Sequence, residues 1–405
     1  PPEAHPLPHS VREDHDRQRA ADVERDLSPA GDVPEGVAER NGRCHEGNLS
    51  TGRIAAGEAG GVGIEPFVIV GAGQYNTAIV ITVIFVGGEY SIMSHMIEMT
   101  RHLFLFLMRY RTLGNSTLLI SSIGFGCMSL GGEETDNTRL AHRALELGIN
   151  FFDTADIYEK GLNEEQVGRI LKGKREQVVI ASKVGNQWRS DGSGLDWNPG
   201  KEHILRSVEG SLTRLRTDRI DLYQLHGGTL EDPIDETIEA FELLQQQGKI
   251  RYYGISSIRP DIIREYARRS GIVSVMMQYS LLDRRPEESC LELLQKAGIG
   301  VLARGTVAKG LLAGKAAAPY LGYTEAEVRK AAEAVKQAAP VGGGPAEVAI
   351  RYVLHHPAVA SAVVGLRTTE QLGDAIKAAV PGGSMERELH MLDAILPPGR
   401  YEMHR

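Results

Sequence analysis

Asp153, Tyr158, Lys183 and His226 are the residues of this chain best suited to move a proton. Asp153 and Tyr158 lie in FFDTADIY, Lys183 closes VVIASK and His226 closes DLYQLH. A free phenol, with a pKa of about 10, is a poor donor near neutrality. A neighbouring ammonium lowers that value, and a carboxylate beside the ammonium keeps it charged and aimed. An imidazole on the other flank can hydrogen-bond a substrate oxygen and orient it. Together such groups would protonate a carbonyl oxygen as hydride arrives at its carbon, which points to an enzyme. Singly each has a blander role: a loop cap, a half-buried aromatic, a solvated strand end, a satisfied core histidine. Their joint placement at the ends of successive strands carries the reading.

The elements that must bring them together alternate regularly from Met108 onward. A hairpin fits 109–113 and 118–122, turned at Gly114-Asn115. Eight strands are expected at 123–127, 150–153, 178–183, 220–225, 250–255, 274–277, 299–303 and 361–364. Helical patterns fall between them at 138–147, 163–171, 201–215, 235–247, 260–269 and 345–356. The last has Pro345 in its first turn and Pro357 as its stop. Short, nearly continuous apolar strands suit a parallel sheet buried on both faces. Eight such units predict an α/β fold, a (β/α)8 TIM barrel with an N-terminal β-hairpin lid, whose C-terminal strand ends share one active face. Adjacent strands are about 5 Å apart, close enough for the four groups to meet.

Composition sets the remaining bounds. A net charge of -8 argues against a nucleic-acid partner. The three cysteines, Cys44, Cys127 and Cys290, form no CxxC pair. Neither a disulfide framework nor a zinc site is expected, and a reducing cytoplasm fits best. Cys127 and Cys290 read as small buried hydrophobes. His355 and His356 adjoin on a helix, point about 100° apart and cannot easily share one ion, so no metal is expected.

Residues 1–107 contain no lysine and hold no lasting period. We expect a weakly ordered N-terminal extension, or translated upstream sequence ahead of a chain beginning at Met108, with the barrel at 108–405. The run 67–86 is long enough to span a bilayer, but Gln74, Tyr75, Asn76 and Thr77 interrupt its centre, and no membrane partner is expected. VIVGAG within it lacks the third glycine and the helix of a dinucleotide fingerprint.

Many separate segments, in order, resemble the aldo-keto reductase family from about Met108 to the C-terminus: GFGCMSLGG, INFFDTADIY, NEEQVGRIL, VVIASKVG, SLTRLRTDRIDLYQLH, GKIRYYGISS, MMQYSLLDRR and KGLLAGK. Residues 1–107 have no counterpart in the resemblance. It implies a nicotinamide-dependent carbonyl reductase with tyrosine as proton donor, the tetrad here being Asp153, Tyr158, Lys183 and His226. It implies Ser256, Ser257 and Gln278 at the nicotinamide carboxamide, where hydroxyl and amide groups can donate and accept. The family often has asparagine at the position of Ser257. Many relatives carry an aromatic, stacked on the nicotinamide, where this chain has Arg304, whose planar face can also stack.

By the same resemblance, Gly305 and the segment Lys309, Gly310, Leu311 through Lys315 would wrap the pyrophosphate. Gly365 opens a turn before a helix starting near Thr369, and Arg367 there would take the 2′-phosphate, favouring NADPH/NADP+ over NADH. Gln371 and Asp374 match positions near the adenosine, while Ala375 stands where asparagine is common. The expected substrate is a small carbonyl compound, an aldehyde or ketone, reduced reversibly. The alternative is a cofactor-binding regulatory subunit of the same superfamily with little turnover. The stretch 185–200, with Trp188 and Trp197, is expected to line one pocket wall. The short loop 316–323 suggests an open pocket.

Overall fold

The computed structural model describes residues 108–380 and 385–405. The expectations for 1–107, including the candidate span at 67–86, lie outside the described residues. A hairpin leads: β1 (Tyr110–Thr112) pairs antiparallel with β2 (Leu119–Ser121), closed by Leu113 N–H donating to Leu118 O at 2.9 Å. Eight strands then close a barrel, each parallel to its neighbours. They are β3 (Ile123–Gly126), β4 (Phe151–Asp153), β5 (Val179–Val184), β8 (Ile220–Leu225), β9 (Ile250–Ser256), β10 (Ser274–Gln278), β11 (Gly300–Arg304) and β12 (Val359–Gly365). All eight expected strands are present with ends shifted by two residues or fewer. A second hairpin, β6 (Asn186–Trp188) with β7 (Leu195–Trp197), rises from the loop after β5.

The first hairpin plugs the N-terminal end of the barrel. Leu113, Leu118 and Ile120 are buried with Phe151, Leu222, Met276, Leu302 and Val363 in the inner core. Gly114 makes this approach possible. It has φ +53°, and a Cβ there would lie 2.3 Å from the Val273 carbonyl oxygen. Gly114→Ala is expected to destabilise the protein by about 1–3 kcal/mol through that clash. Gly132→Ala is the control: its φ is +72°, yet nothing lies within 4 Å. Urea midpoints of the two variants check this, and equal losses would mean that backbone strain alone is at work.

A larger outer core lies between the strands and an encircling layer of helices. The expected helices form as α1 (Glu134–Glu146), α2 (Leu162–Ile170), α3 (Lys201–Leu215), α4 (Ile234–Gln246), α5 (Pro260–Arg269), α8 (Pro345–His355) and α9 (Thr369–Ala379). Three further helices were not anticipated: α6 (Cys290–Lys296), α7 (Glu325–Gln337) and α10 (Glu386–Asp393). The start of α7 is a capping box, with Thr324 N–H donating to Glu327 Oε2 at 2.7 Å and Glu327 N–H donating back to Thr324 Oγ1. Its buried face is Val328, Ala331 and Val335, small residues that make a faint apolar stripe. Among the described residues, no helix is long and apolar enough to cross a membrane. Cys127 and Cys290 are both buried.

Candidate active site

Barrel register places the first three groups. Asp153 on β4 stands opposite Ala181 of β5; Lys183, two residues on and on the same face, stands opposite Gln224 of β8. Lys183 is 1% exposed. Its Nζ donates to Asp153 Oδ1 at 2.6 Å, to Thr154 O at 2.7 Å and to the Tyr158 hydroxyl at 3.4 Å. Three acceptors around one ammonium use its three protons and fix its direction. Gln224 Nε2 donates to the other Asp153 oxygen at 3.3 Å.

Burial pushes the Asp153 carboxyl upward, and the Lys183 charge works against it; the carboxyl ends above the ordinary value. Burial would lower the Lys183 ammonium, but Asp153 and Tyr158 outweigh it and hold it above its ordinary value. The lysine is therefore a fixed positive charge at the base of the phenol.

Tyr158 enters from the loop after β4. A tight turn, Tyr158–Gly161, follows it, with Glu159 and Lys160 at positive φ. Trp188 Nε1 donates to Ile157 O at 3.2 Å and pins the loop. Asn163, at the start of α2, accepts from Thr154 Oγ1 at 2.6 Å and donates to Cys127 O at 2.9 Å. Glu164 is fully buried, accepting from Ser182 Oγ and from Arg214 Nε at 2.7 Å. Asn163 and Glu164 thus brace the three strand ends around the lysine.

His226 follows β8, its backbone N–H donating to Val184 O at 2.7 Å. The imidazole meets the Tyr158 ring edge-on, centroids 6.0 Å apart at 80°. Asn186 Nδ2 donates to the His226 carbonyl at 3.1 Å. Burial, reinforced by the charges of Lys183 and Arg304, pushes the imidazole down to about 3. It is neutral at physiological pH, so it can orient an oxygen by hydrogen bonding without adding charge.

That displacement has a signed consequence. Between an unfolded value of 6.5 and a folded value of about 3, the unfolded chain takes up a proton that the folded protein refuses. His226 therefore adds stability above pH 6.5 that is lost as pH falls towards 3. Asp156 acts oppositely: burial first, then the Glu164 charge, raises its carboxyl from 3.8 to about 7, so its contribution is present at low pH and lost as pH rises. The two slopes offset one another in the intact protein. The difference between wild type and His226→Gln is expected to fall by at most about 1.4 kcal/mol per unit as pH goes from about 6 to 4. Urea melts over that range measure it; a flat difference would mean that the imidazole is charged or solvated in the fold.

The groups open onto a cleft of about 620 Å³, lined among others by Tyr158, Lys183, Trp197, His226, Ser256, Ser257, Arg259, Met276 and Arg304. This is a usual size for a small-molecule site. Trp197 forms a wall as expected, its Nε1 donating to Asp232 Oδ1 at 2.8 Å. Gly185 lets the indole approach, since a Cβ there would lie 2.8 Å from the ring. Trp188 instead faces the Tyr158 loop, through its bond to Ile157 O.

The expected cofactor residues divide into two groups. Ser256, Ser257 and Arg304 line the cleft, and Gln278 joins them through Arg304 Nη1 donating to Gln278 Oε1 at 3.1 Å. Gln278 Nε2 in turn donates to the Tyr320 hydroxyl at 3.0 Å, so the loop 316–323 reaches the site. Gly305, Lys309, Gly310, Leu311, Lys315, Gly365, Arg367, Gln371 and Asp374 stand outside the lining of that cleft. Leu311 buries its side chain in the core, which leaves its backbone for any ligand. Lys309 and Gly310 have φ +57° and +93° in a tight turn, and Lys315 follows just beyond it, its N–H donating to Gly310 O at 3.0 Å. Gln371 accepts from Arg367 N–H at 2.9 Å, and Thr368 Oγ1 accepts from Gln371 N–H, capping α9 beside the exposed Arg367. Asp374 pairs with Lys377 at 3.5 Å.

Sequence reasoning missed Gln224, Asn163, Glu164, Asp232, Tyr320 and Arg259. Gln224 was within reach of it, since alternation along DLYQLH puts Gln224 and His226 on one face.

The profile of the Aldo/keto reductase family matches residues 122–395. The oxidoreductase YqkF of Bacillus subtilis is 49% identical over 307 residues, covering 74% of this chain and all of the relative. The aldo-keto reductase yakc [NADP(+)] of Schizosaccharomyces pombe is 33% identical over 220 residues, covering 52% of this chain and 64% of the relative. The holo structure of aldo-keto reductase AKR11C1 from Bacillus halodurans is 47% identical, covers 74% of this chain and 99% of its own, and superposes with a TM-score of 0.69. With the closed barrel, the matched segments and these relatives in agreement, the chain belongs to the aldo/keto reductase family of oxidoreductases.

Proposed function

We propose that the protein is an NADPH-dependent reductase of aldehydes and ketones, reversible toward alcohols, with Tyr158 as proton donor. The observation that carries this is the Tyr158 hydroxyl in the cleft, 3.4 Å from an ammonium buried against a carboxylate. The polar groups present suit the cofactor. Ser256, Ser257 and Gln278 offer donors and acceptors for a carboxamide, and Arg304 offers a planar face for the ring. Lys309 and Lys315, with the turn at Gly305 and Gly310 and the backbone of Leu311, suit a pyrophosphate. Gly365, Gln371 and Asp374 flank Arg367 around the capped start of α9, a receptor for phosphate. A nicotinamide cofactor held by these residues would supply the hydride. The chain itself holds the carbonyl oxygen between the Tyr158 hydroxyl and neutral His226, then gives up the phenolic proton to it. Lys183, kept charged by Asp153, stabilises the phenolate left behind. The name of the yakc relative, which carries NADP(+), supports the same cofactor.

Turnover of 4-nitrobenzaldehyde, read as NADPH consumption, tests the reading. Steady reduction that prefers NADPH to NADH is expected. No consumption above background across a panel of aldehydes and ketones would overturn it and favour a cofactor-binding subunit. Arg367→Ala is expected to weaken NADPH binding by about 10-fold to 100-fold, the worth of a hydrogen bond to a charged group. NADH binding should be unchanged, as fluorescence titration would reveal.

A further inference from the structure

The charges lining the cleft do not balance. Lys183 is neutralised by Asp153 beneath it. Arg304 and Arg259 also line the cleft, and no Asp or Glu does. The hydrogen bonds of their side chains end on neutral oxygens: Arg304 on Gln278 Oε1, Arg259 on the Gly228 carbonyl at 2.6 Å. Among the described residues, no carboxylate lies within ion-pairing distance of either guanidinium. The exposed Glu231 senses Arg259 through space without pairing to it.

Arg259 is also held in place. It directly precedes α5, its backbone N–H donates to Ser257 Oγ at 3.2 Å, and its Nη1 is tied to Gly228. Gly228 lies in the loop after β8, two residues beyond His226, so the bond anchors the guanidinium to that loop at the edge of the cleft. Ile258 and Arg259 also border the groove at the C-terminal segment, and the bond to Gly228 fixes Arg259 at the cleft's rim, away from His226, whose imidazole feels the charges of Lys183 and Arg304 instead. One Nη1 contact leaves the rest of the planar fork, which matches a carboxylate bidentately. A chain with net charge -8 that keeps uncompensated cations in its cleft focuses anions there.

We infer that Arg259 is a specificity-determining residue that selects carbonyl substrates bearing a carboxylate at the end remote from the reacting carbonyl. The inference rests on the reductase reading of the same cleft. The carboxylate docks on Arg259 while the carbonyl lies between Tyr158 and His226. Arg304 remains on the side of Ser256, Ser257 and Gln278.

The test uses isosteres. 4-Carboxybenzaldehyde and 4-nitrobenzaldehyde have nearly the same shape, and one is an anion. In Arg259→Gln, kcat/KM for the carboxy compound should fall at least about tenfold, while that for the nitro compound moves less than about twofold; tenfold corresponds to 1.4 kcal/mol. Arg259→Lys should recover part of the carboxylate preference. Raising salt at saturating NADPH should weaken the carboxy reaction more in wild type than in Arg259→Gln. Equal changes for both aldehydes, or none, would overturn the inference. A readout independent of turnover separates it from the reductase reading. 4-(Hydroxymethyl)benzoate should bind wild type with NADP+ more tightly than it binds Arg259→Gln, and 4-nitrobenzyl alcohol should bind both alike by calorimetry. If wild type reduces neither aldehyde but this binding difference holds, the reductase reading fails and the anion site stands. If both aldehydes are reduced and the binding difference is absent, the anion site fails alone.

Discussion

Tyr158→Phe is expected to lower kcat for carbonyl reduction by about 10²-fold to 10⁴-fold, the usual worth of a positioned proton donor. NADPH affinity should stay within about twofold. The substitution removes one oxygen and little else. The ring still meets His226 edge-on at 6.0 Å, and the Lys183 ammonium still lies 5.1 Å from its centroid. Lys183 loses its longest contact, at 3.4 Å, and keeps Asp153 and Thr154 O. Fold and ammonium therefore survive, and only the donated proton is gone. Neutral His226 is the nearest group that could take over. Single-turnover rates with NADPH and 4-nitrobenzaldehyde measure the effect, and a loss below about tenfold would sink the assignment of Tyr158 as donor. The double variant Tyr158→Phe with His226→Gln then separates the two groups. If the histidine only orients the oxygen, its loss adds little once the proton is gone, because groups that act as a unit are not additive.

What could be read in advance follows from how local each signal is. Strands β5, β8 and β12 are mostly apolar and, but for Gly365, buried along their length, and their pattern needs no partner to be seen. The meeting of Asp153, Tyr158, Lys183 and His226 was legible because strand ends are marked by a change from apolar to polar residues, and barrel topology brings those ends to one face. Its supports were not. Nothing in Asn163 or Glu164 indicates that they brace β3, β4 and β5, because those contacts span 9 to 36 residues. The β6–β7 hairpin escaped notice for another reason: its strands are half-buried or exposed, and tertiary bonds such as Trp197 to Asp232 hold it. Arg259 reads as an ordinary residue before a helix until Gly228, far along the chain, ties it into the cleft.

Asp153→Asn is expected to cost about 3–5 kcal/mol of folding stability, the usual penalty for leaving a buried charge without its partner. Lys183 would keep only Thr154 O, the Tyr158 hydroxyl and a neutral amide, with just 1% of its surface exposed. A buried pair adds little net stability over an apolar replacement, so the loss should be recoverable by removing the second charge. Asp153→Asn with Lys183→Met is expected to be more stable than Asp153→Asn alone, although equally unable to assist the phenol. The pH dependence carries a sign as well. In wild type the Lys183 ammonium is held above its ordinary 10.5, so its stabilisation persists through neutral and mildly alkaline pH. Without the carboxylate, burial dominates and lowers the folded value below the unfolded one. The single variant's deficit should then shrink as pH rises from about 7 to 9.5, because the folded state can shed the proton more readily than the unfolded chain. Urea unfolding of the three proteins at both pH values decides the matter. A deficit in Asp153→Asn that the second substitution does not relieve, and that pH does not move, would show that the carboxylate serves packing and the Gln224 hydrogen bond rather than the charge of Lys183.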